Sequence, residues 1–477
     1  MSSFVYFLGA AVAPAALLAG LALFKRPQWV PALLLLTATL TPWSAVKGVT
    51  PALALTLVAT LVTIVATTLG SYRRSLPALG QRRATLAFAV AALVSALLGW
   101  LGAEQEVVNV IRAEWIPVQA GQLAAIVMGP AALLLTARFL NTRQTLVWMV
   151  WSYVALTMVG LLASLTLGME TNLRGLILTW SAVLMLGQLL YNSDLRPGVR
   201  ALLVVAFAVT MFVKVVLGLT WVSGWLPTLV GCTTIAAFRW PKSVLSAVLI
   251  GTLVIVLAGD SLRSDYDREY EESGATRLGK WTLVLGQPFV WNHALFGTGP
   301  ANYAVYFTVY TPNDRMSTHN NYLDIFLQLG IVGVVLVLVL LAAIARLALR
   351  LSRDRLDDPF LTAYARSSLG GIAAVVVAMG LGDWFTPFVF NQGLAGFSWT
   401  VQSWIFFGAL CAIPAVLNGR FARTRAFRFD PVAPRSTPAF AEPVGIRLAG
   451  ARDPHIDDLR SGRRPSDGRR GGIPPRW

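Results

Sequence analysis

Long apolar runs recur along almost the whole chain, and they restrict its fold more than any other feature. A helix needs about 20 apolar residues to cross the hydrocarbon core of a bilayer, and about thirteen runs approach that length, from Phe4–Phe24 to Trp399–Leu417. Only 13% of the 477 residues are charged, whereas soluble domains carry about 25%. The sequence therefore predicts an all-α, polytopic transmembrane helical bundle of about 12–13 spans, not a cytosolic or secreted enzyme.

The distribution of basic residues predicts the orientation of the bundle. The net charge is +16, and most bases lie in short loops that alternate with loops poorer in base, a pattern typical of cytoplasmic loops. We therefore expect a lipid bilayer, and no nucleic acid, as the partner of the basic residues. Four regions are predicted: N-terminal transmembrane helices (1–258), one large external catalytic loop (259–321), C-terminal transmembrane helices (322–418) and a disordered, basic cytoplasmic tail (419–477).

The cysteines and an intramembrane lysine say little about cofactors. Cys232 and Cys411 lie inside apolar runs and are predicted to be buried, and no Cys/His spacing suits a metal, so we expect no cofactor. Lys214 lies within a predicted span. An intramembrane charge suggests a function, although near a helix end the side chain can also reach the membrane surface.

Arg174 is the first candidate for a site on the outer face. It lies where a predicted span leaves that face, after Glu170. A cation there opposes the orientation bias and needs an anionic partner or a function. Contact with Glu170 or with a lipid phosphate is the alternative.

The external loop offers further cations, which are Arg263, Arg268, Arg277 and Lys280. A guanidinium group is planar, permanently charged and able to grip phosphate oxygens in a fork. Arg263 and Arg268 lie among acids that can pair with them, whereas Arg277 has no acid within four residues.

His319 is the candidate general base among the three histidines. It stands directly before a long apolar run, where Ser317 or Thr318 is predicted to cap a helix and where His319 and Tyr322 would share one helical face. A histidine fixed at a membrane surface is well placed to accept a proton. The alternative is an interfacial histidine without chemistry.

Three motifs resemble the signature of the O-antigen ligase and polymerase (Wzy-C-like) superfamily. They are Gly297-Thr-Gly-Pro300, His319-Asn320-Asn321-Tyr322-Leu323 and Gly330-Ile-Val-Gly333. Arg277 with Trp281 resembles the family's Arg-x-x-x-Trp element, and Arg174-Gly175 its earlier outer arginine. Two positions depart from the family pattern: Val222-Ser223-Gly224 stands where many members have Ser-Arg-Gly, and Gln328 where a Glu is frequent.

The resemblance implies a metal-independent, inverting glycosyltransferase in the bacterial inner membrane, with its site facing outward. It would take a polyprenyl-diphosphate-linked glycan as donor, and a glycan or lipid-glycan as acceptor. Arg174 and Arg277 would hold the diphosphate, and His319 would orient or deprotonate the acceptor hydroxyl. Further substrate-binding residues implied are Arg263, Arg268, Lys280, Asn320, Asn321, Tyr322, Gly299 and Tyr303, and Trp291, Tyr306 and Tyr310 are further candidates, with Tyr303, for stacking on sugars.

Three alternatives stay open at the level of sequence. A ligase and a polymerase would use the same donor and differ in the acceptor. A peptidoglycan-type polymerase would use an essential carboxylate of the external loop in place of His319. A lipid-linked oligosaccharide flippase would show related halves and charged residues near mid-membrane.

Overall fold

The fold is known from a computed structural model that describes residues 26–40, 49–68, 79–110, 116–168, 173–217, 222–242, 245, 275–310, 318–354 and 356–417. In these ranges the helices are α1 (Val30–Leu40), α2 (Pro51–Thr68), α3 (Leu79–Leu101), α4 (Gln105–Val110), α5 (Ile116–Phe139), α6 (Arg143–Leu167), α7 (Ile177–Tyr191), α8 (Pro197–Met211), α9 (Val222–Ala237), α10 (Ala275–Leu285), α11 (Pro288–Asn292), α12 (Asn302–Tyr310), α13 (Asn321–Arg353), α14 (Pro359–Leu381), α15 (Val389–Gln392) and α16 (Gly396–Leu417). A π-helical turn, Phe212–Leu217, continues α8.

Eight of these described helices are long and apolar enough to cross a membrane, namely α2, α3, α5, α6, α8 with its π-helical turn, α13, α14 and α16. Helices α7 and α9 are shorter but also apolar. The predicted all-α, polytopic bundle is thus confirmed. Two of the predicted spans, Phe4–Phe24 and Ser243–Ala258, lie wholly or largely outside the described residues, as does the predicted tail, 419–477.

The core and the periphery of the bundle are both apolar, as expected of a protein that sits in lipid. One buried cluster extends from Val30 on α1 to Ile413 on α16. Helix α16 is buried along most of its length, whereas α8 exposes large apolar side chains such as Leu202 and Val205. A helix that is apolar on its outward face is stable only where lipid replaces water.

Helix α13 begins two or three residues later than a cap at Thr318 or Ser317 would place its start. Its cap is Asn320, whose Oδ1 accepts the N–H groups of Tyr322 and Leu323 at 3.0 and 3.2 Å. The predicted cap Thr318 instead donates its hydroxyl to the Asp324 carboxylate. His319 precedes the helix with a φ of 50°, so it does not share a helical face with Tyr322.

Helix α13 is broken at Gly330, whose φ of 68° and ψ of −169° leave the helical region. An incoming loop uses the carbonyl groups at the break. The N–H groups of Thr298 and Gly299 donate to the carbonyl oxygens of Leu327 and Gln328 at 2.9 and 3.0 Å. The broken helix therefore keeps its backbone polar groups paired inside the membrane protein.

The glycines of two sequence motifs are explained by this joint. A Cβ atom on Gly330 would lie 2.2 Å from the carbonyl oxygen of Leu295, and one on Gly297 would lie 2.3 Å from the carbonyl oxygen of Gln328. Both glycines also have positive φ angles. The Gly-x-Gly-Pro and Gly-Ile-x-Gly motifs thus pack against each other and hold the helix start that follows His319.

The two ends of the bundle differ in charge. The start of α6 is tied to the start of α14 by the ion pair Arg143–Asp358, and the start of α3 to the last turns of α13 by the Gln81 amide. The cations that share this end are Arg82, Arg83, Arg138, Arg143, Arg196, Arg200, Arg239, Arg346, Arg350 and Arg353. We call it the basic end. His319 and Arg174 lie at the other end.

Candidate functional site

A cavity of about 650 Å³ opens at the end of the bundle opposite the basic end. Its walls come from four separate parts of the chain. The polar and aromatic side chains that line it are Arg174, Ser223, His319, Asp383, Trp384, Asn391, Gln392 and Trp399. The predicted residues Arg174 and His319 therefore line one cavity, although 145 residues of sequence separate them (319 − 174).

His319 and Asp383 form the central pair of the cavity. The Nδ1 atom of His319 lies 3.6 Å from Oδ2 of Asp383. The Asp383 side chain is fully buried, whereas 43% of the His319 side chain is exposed. A carboxylate on Nδ1 favours the tautomer with a proton on that nitrogen. In that tautomer, Nε2 is the ring nitrogen that can accept a proton.

The backbone at His319 adopts the left-handed conformation, with a φ of 50°. This region costs most L residues about 1–2 kcal/mol, and histidine tolerates it better than branched residues do. The conformation turns the chain between Thr318, which contacts Asp324, and Asn320, which caps α13. Hydrogen bonds on both sides of His319 thus fix its backbone.

Arg174 sits against an aromatic wall of the cavity. Its Cζ atom lies 5.3 Å from the centroid of the Trp399 ring, within the range of a cation–π contact. Gly175 follows with a φ of 63°, and a Cβ there would lie 3.0 Å from the Trp399 carbonyl oxygen and 3.1 Å from the Trp384 ring. A glycine at this position lets the Arg174 turn approach the start of α16.

Asn321 joins the two chain segments that carry His319 and Asp383. Its Nδ2 donates to the carbonyl oxygen of Thr386 at 2.7 Å, and its Oδ1 accepts the N–H of Phe385 at 2.8 Å. Asn321 is fully buried. It was predicted to bind substrate, and in the structure its side chain instead clamps the Asp383 loop to the start of α13.

Helix α10 is anchored beside the same histidine. The indole N–H of Trp281 donates to the carbonyl oxygen of Thr318 at 2.7 Å, one residue before His319. Arg277 precedes Trp281 by four residues, about one turn of α10. The Arg277 side chain is outside the described residues, as are all of Arg263 and Arg268. Lys280 is partly exposed on α10.

A buried polar network lies behind the His319–Asp383 pair. Oδ1 of Asp324 accepts the hydroxyls of Tyr303 and Thr318 at 2.6 and 2.7 Å. Burial and the neighbouring Asp324 carboxyl raise the pKa of Tyr303 well above its usual value, so Tyr303 keeps its proton and donates. Asp324 and Asp383 are neighbours in this network, because Thr318 bonds to Asp324 and the next residue, His319, faces Asp383.

Two of the four aromatic candidates for sugar stacking are buried. Tyr303 and Tyr306 are each 1% exposed; Tyr303 stacks on Phe388 and Tyr306 on Phe289. Of this set, Trp291 is 61% exposed and so has a free ring face. The side chain of Tyr310 lies outside the described residues.

The remaining predicted binding residues support the framework. Gly299 packs its backbone against Gly99, and Tyr322 donates its hydroxyl to the carbonyl oxygen of Val376 at 2.8 Å. Gln328, one of the two departures from the pattern that the motifs resemble, accepts the N–H of Ala301 on its Oε1 at 3.1 Å. A carboxylate would serve equally as that acceptor, so the departure preserves this contact.

Sequence reasoning missed Asp383 as the partner of His319. The signal that was available is an acid directly after an apolar run, in Leu381-Gly382-Asp383. Such a residue at a membrane boundary has few structural reasons to be there. The pairing with His319 becomes visible only in the fold, where the start of α13 lies beside the end of α14.

Two of the secondary expectations also have structural outcomes. Cys232 and Cys411 are buried free thiols, as predicted. Lys214 is buried in the π-helical turn and donates to the carbonyl oxygen of Gly224 at 2.9 Å. Within the described ranges, no group of three or more His, Cys, Asp or Glu side chains is arranged to hold a metal ion.

No protein-family model and no curated protein matches this sequence. What the cavity does must therefore be argued from its own residues.

Proposed function

We propose that this chain is a membrane glycosyltransferase that transfers or polymerises glycan from a polyprenyl-diphosphate-linked donor onto an acceptor hydroxyl. The observation that carries the proposal is one cavity lined by a guanidinium group, Arg174, and by an imidazole with a buried carboxylate partner, His319 with Asp383. A fixed cation suits a diphosphate, and a carboxylate-oriented imidazole suits proton transfer from a hydroxyl.

Arg174 is the group that we assign to the leaving diphosphate. As the bond between the sugar carbon and the phosphate oxygen breaks, negative charge grows on the diphosphate, and a preorganised guanidinium stabilises that charge. The helix of Arg277 is anchored one residue from His319, so Arg277 is the natural second cation. Apolar helices around the cavity suit a prenyl chain.

His319 is the group that we assign to the acceptor. The acceptor oxygen attacks the sugar carbon, its proton passes to Nε2 of His319, and the electron pair of the broken bond leaves with the diphosphate. Attack opposite the leaving group inverts the anomeric centre. The carboxylate of Asp383 stabilises the imidazolium that forms, as a buried acid does for the histidine of a catalytic triad. No step in this scheme requires a metal ion.

The proposed orientation follows from the charge difference between the two ends. The basic end would lie in the cytoplasm of a bacterium and the cavity at the outer face of the inner membrane. There the cavity would meet donors that have already been flipped across the membrane.

The test uses the purified full-length protein in liposomes with a synthetic prenyl-diphosphate-glycan donor. His319→Asn is the main variant, because asparagine also tolerates a positive φ angle. We expect it to lower transfer by about 100-fold or more, the usual contribution of a general base. Arg174→Lys should weaken donor binding because lysine cannot form the two parallel hydrogen bonds that a guanidinium group makes to phosphate. Exposed Arg196 at the basic end gives the matched control, Arg196→Lys.

The products separate the alternatives. Long chains formed from donor alone indicate a polymerase, and product formed only after an acceptor is added indicates a ligase. Loss of transfer in Asp383→Asn with full activity in His319→Asn would assign the base to the carboxylate, as in a peptidoglycan-type polymerase. Donor translocation without any product would refute the transferase and favour the flippase.

A further inference from the structure

Asp324 is a buried carboxyl group that the reaction proposed above does not use. It lies in the first turn of α13 and is 1% exposed. Its Oδ1 accepts two hydroxyl hydrogen bonds, from Tyr303 at 2.6 Å and from Thr318 at 2.7 Å. Its Oδ2 is buried and has no donor among the residues that the structure describes. Since Oδ1 is occupied, Oδ2 is the oxygen left to meet Asp383.

The contact between the two carboxyl groups requires a proton. Asp324 accepts the hydroxyl of Thr318, and the next residue, His319, faces Asp383, so the two acids are neighbours that interact with each other. Both carboxyl groups are buried. Ionised carboxylates only accept hydrogen bonds, and two adjacent carboxylates do not both ionise without a counter-charge. One proton between the two acids turns a repulsive contact into a hydrogen bond.

The surroundings of the pair decide which acid carries that proton. Asp383 faces the imidazole of His319 at 3.6 Å and lines a cavity that also contains Arg174. Asp324 faces the neutral hydroxyls of Tyr303 and Thr318. His319 becomes a cation when it takes the acceptor's proton, and a cation stabilises a carboxylate more than neutral donors do, so the negative charge belongs on Asp383 and the proton on Asp324.

We propose that Asp324 is a positioning residue that stays protonated and donates a hydrogen bond from Oδ2 to Asp383, which keeps the Asp383 carboxylate ionised and aimed at His319. The inference rests on the proposed function for its consequence in catalysis, but the protonation of Asp324 can be tested without it. In the reaction, the proton taken from the acceptor stays on His319, and the proton on Asp324 is not transferred.

The proposal predicts an asymmetry between two identical substitutions. Asp324→Asn keeps a donor toward Asp383 and an acceptor for Tyr303 and Thr318, so transfer should stay within about fivefold of wild type, as expected when one hydrogen bond replaces another. Asp383→Asn removes the charge beside His319 and should lower transfer by about 100-fold or more. Asp358→Asn, a capping acid at the basic end, is the matched control for the substitution itself.

Infrared spectroscopy of the full-length protein in nanodiscs reads the proton directly. A protonated, buried carboxyl group gives a C=O absorption distinct from that of a carboxylate, and it shifts in D₂O. We expect this band in wild type and in Asp358→Asn at neutral pH, and its loss in Asp324→Asn. Tyr303→Phe removes a donor to the Asp324 carbonyl oxygen and should move the band to higher frequency, which keeps the test valid if Asp324→Asn does not fold.

Two results would overturn the proposal. One is an unchanged carboxyl band in folded Asp324→Asn, or an unmoved band in Tyr303→Phe. The other is Asp324→Asn as inactive as Asp383→Asn in a protein that keeps Cys232 and Cys411 shielded from thiol reagents. If wild type itself transfers no glycan, the proposed function fails, and the infrared band still decides whether Asp324 holds the proton.

Discussion

Replacing Asn321 by alanine tests whether the cavity depends on the clamp between α13 and the Asp383 loop. The substitution leaves the N–H groups of Phe385 and Thr386 and the carbonyl of Thr386 without the partner that they have now. Each buried group left unpaired costs about 1 kcal/mol or more, so unfolding should become easier by about 3 kcal/mol. Asp383 lies two residues before Phe385, so its distance from His319 should also lengthen and transfer should fall.

The two buried thiols provide the assay. Because Cys232 and Cys411 are buried free thiols, a thiol dye should reach them only when the helices open. A loss of about 3 kcal/mol corresponds to about a 100-fold increase in the open population. Asn321→Asp keeps the acceptor for both N–H groups and should lose less stability than Asn321→Ala. Asn192→Ala, a buried asparagine at the basic end, should label faster than wild type but keep its transfer activity. Wild-type labelling rates and activity in Asn321→Ala would show that the clamp is unimportant.

Further predictions concern the supports of the same helix start. The Gly330→Ala protein should unfold or fail to insert, because a Cβ atom would overlap the adjoining loop and φ is 68°. Gly198 has open space at its Cβ position. As the control, Gly198→Ala should be expressed and react with the thiol dye like wild type. Trp281→Phe removes the hydrogen bond to Thr318 and should lower transfer several-fold, with a loss of about 1 kcal/mol in stability. Trp148 is exposed on the apolar surface, so the control Trp148→Phe should match wild type in both measurements. Equal activity in the two tryptophan variants would argue against an anchoring role for Trp281.

The membrane fold was predictable because it follows from composition. A helix in lipid must be apolar over its length, so each span is visible in the sequence as a local run. The break in α13 was not predictable in this way. Leu329-Gly330-Ile331 lies within a continuous apolar run, and the break exists because a loop from a different part of the chain supplies the missing hydrogen bonds.

The site was predictable only in part, because residue type and contact are different kinds of information. The chemistry of Arg174 and His319 is evident from residue type and position, and the cavity contains both. Whether Tyr303 faces substrate or the interior depends on packing, and it proved to be buried beside Asp324. The role of Asp383 depends on its contact with His319, which lies 64 residues earlier in the sequence (383 − 319).

The cavity walls extend from Arg174 to Trp399 in the sequence, which has a consequence for synthesis at the ribosome. The histidine enters the membrane before its aspartate partner has been translated, and the aromatic wall against Arg174 comes later still. A nascent chain halted before residue 399 therefore lacks part of the cavity wall. The cavity would be complete only once α16, the last helix among the described residues, is inserted, so prematurely terminated products would lack the activity proposed above.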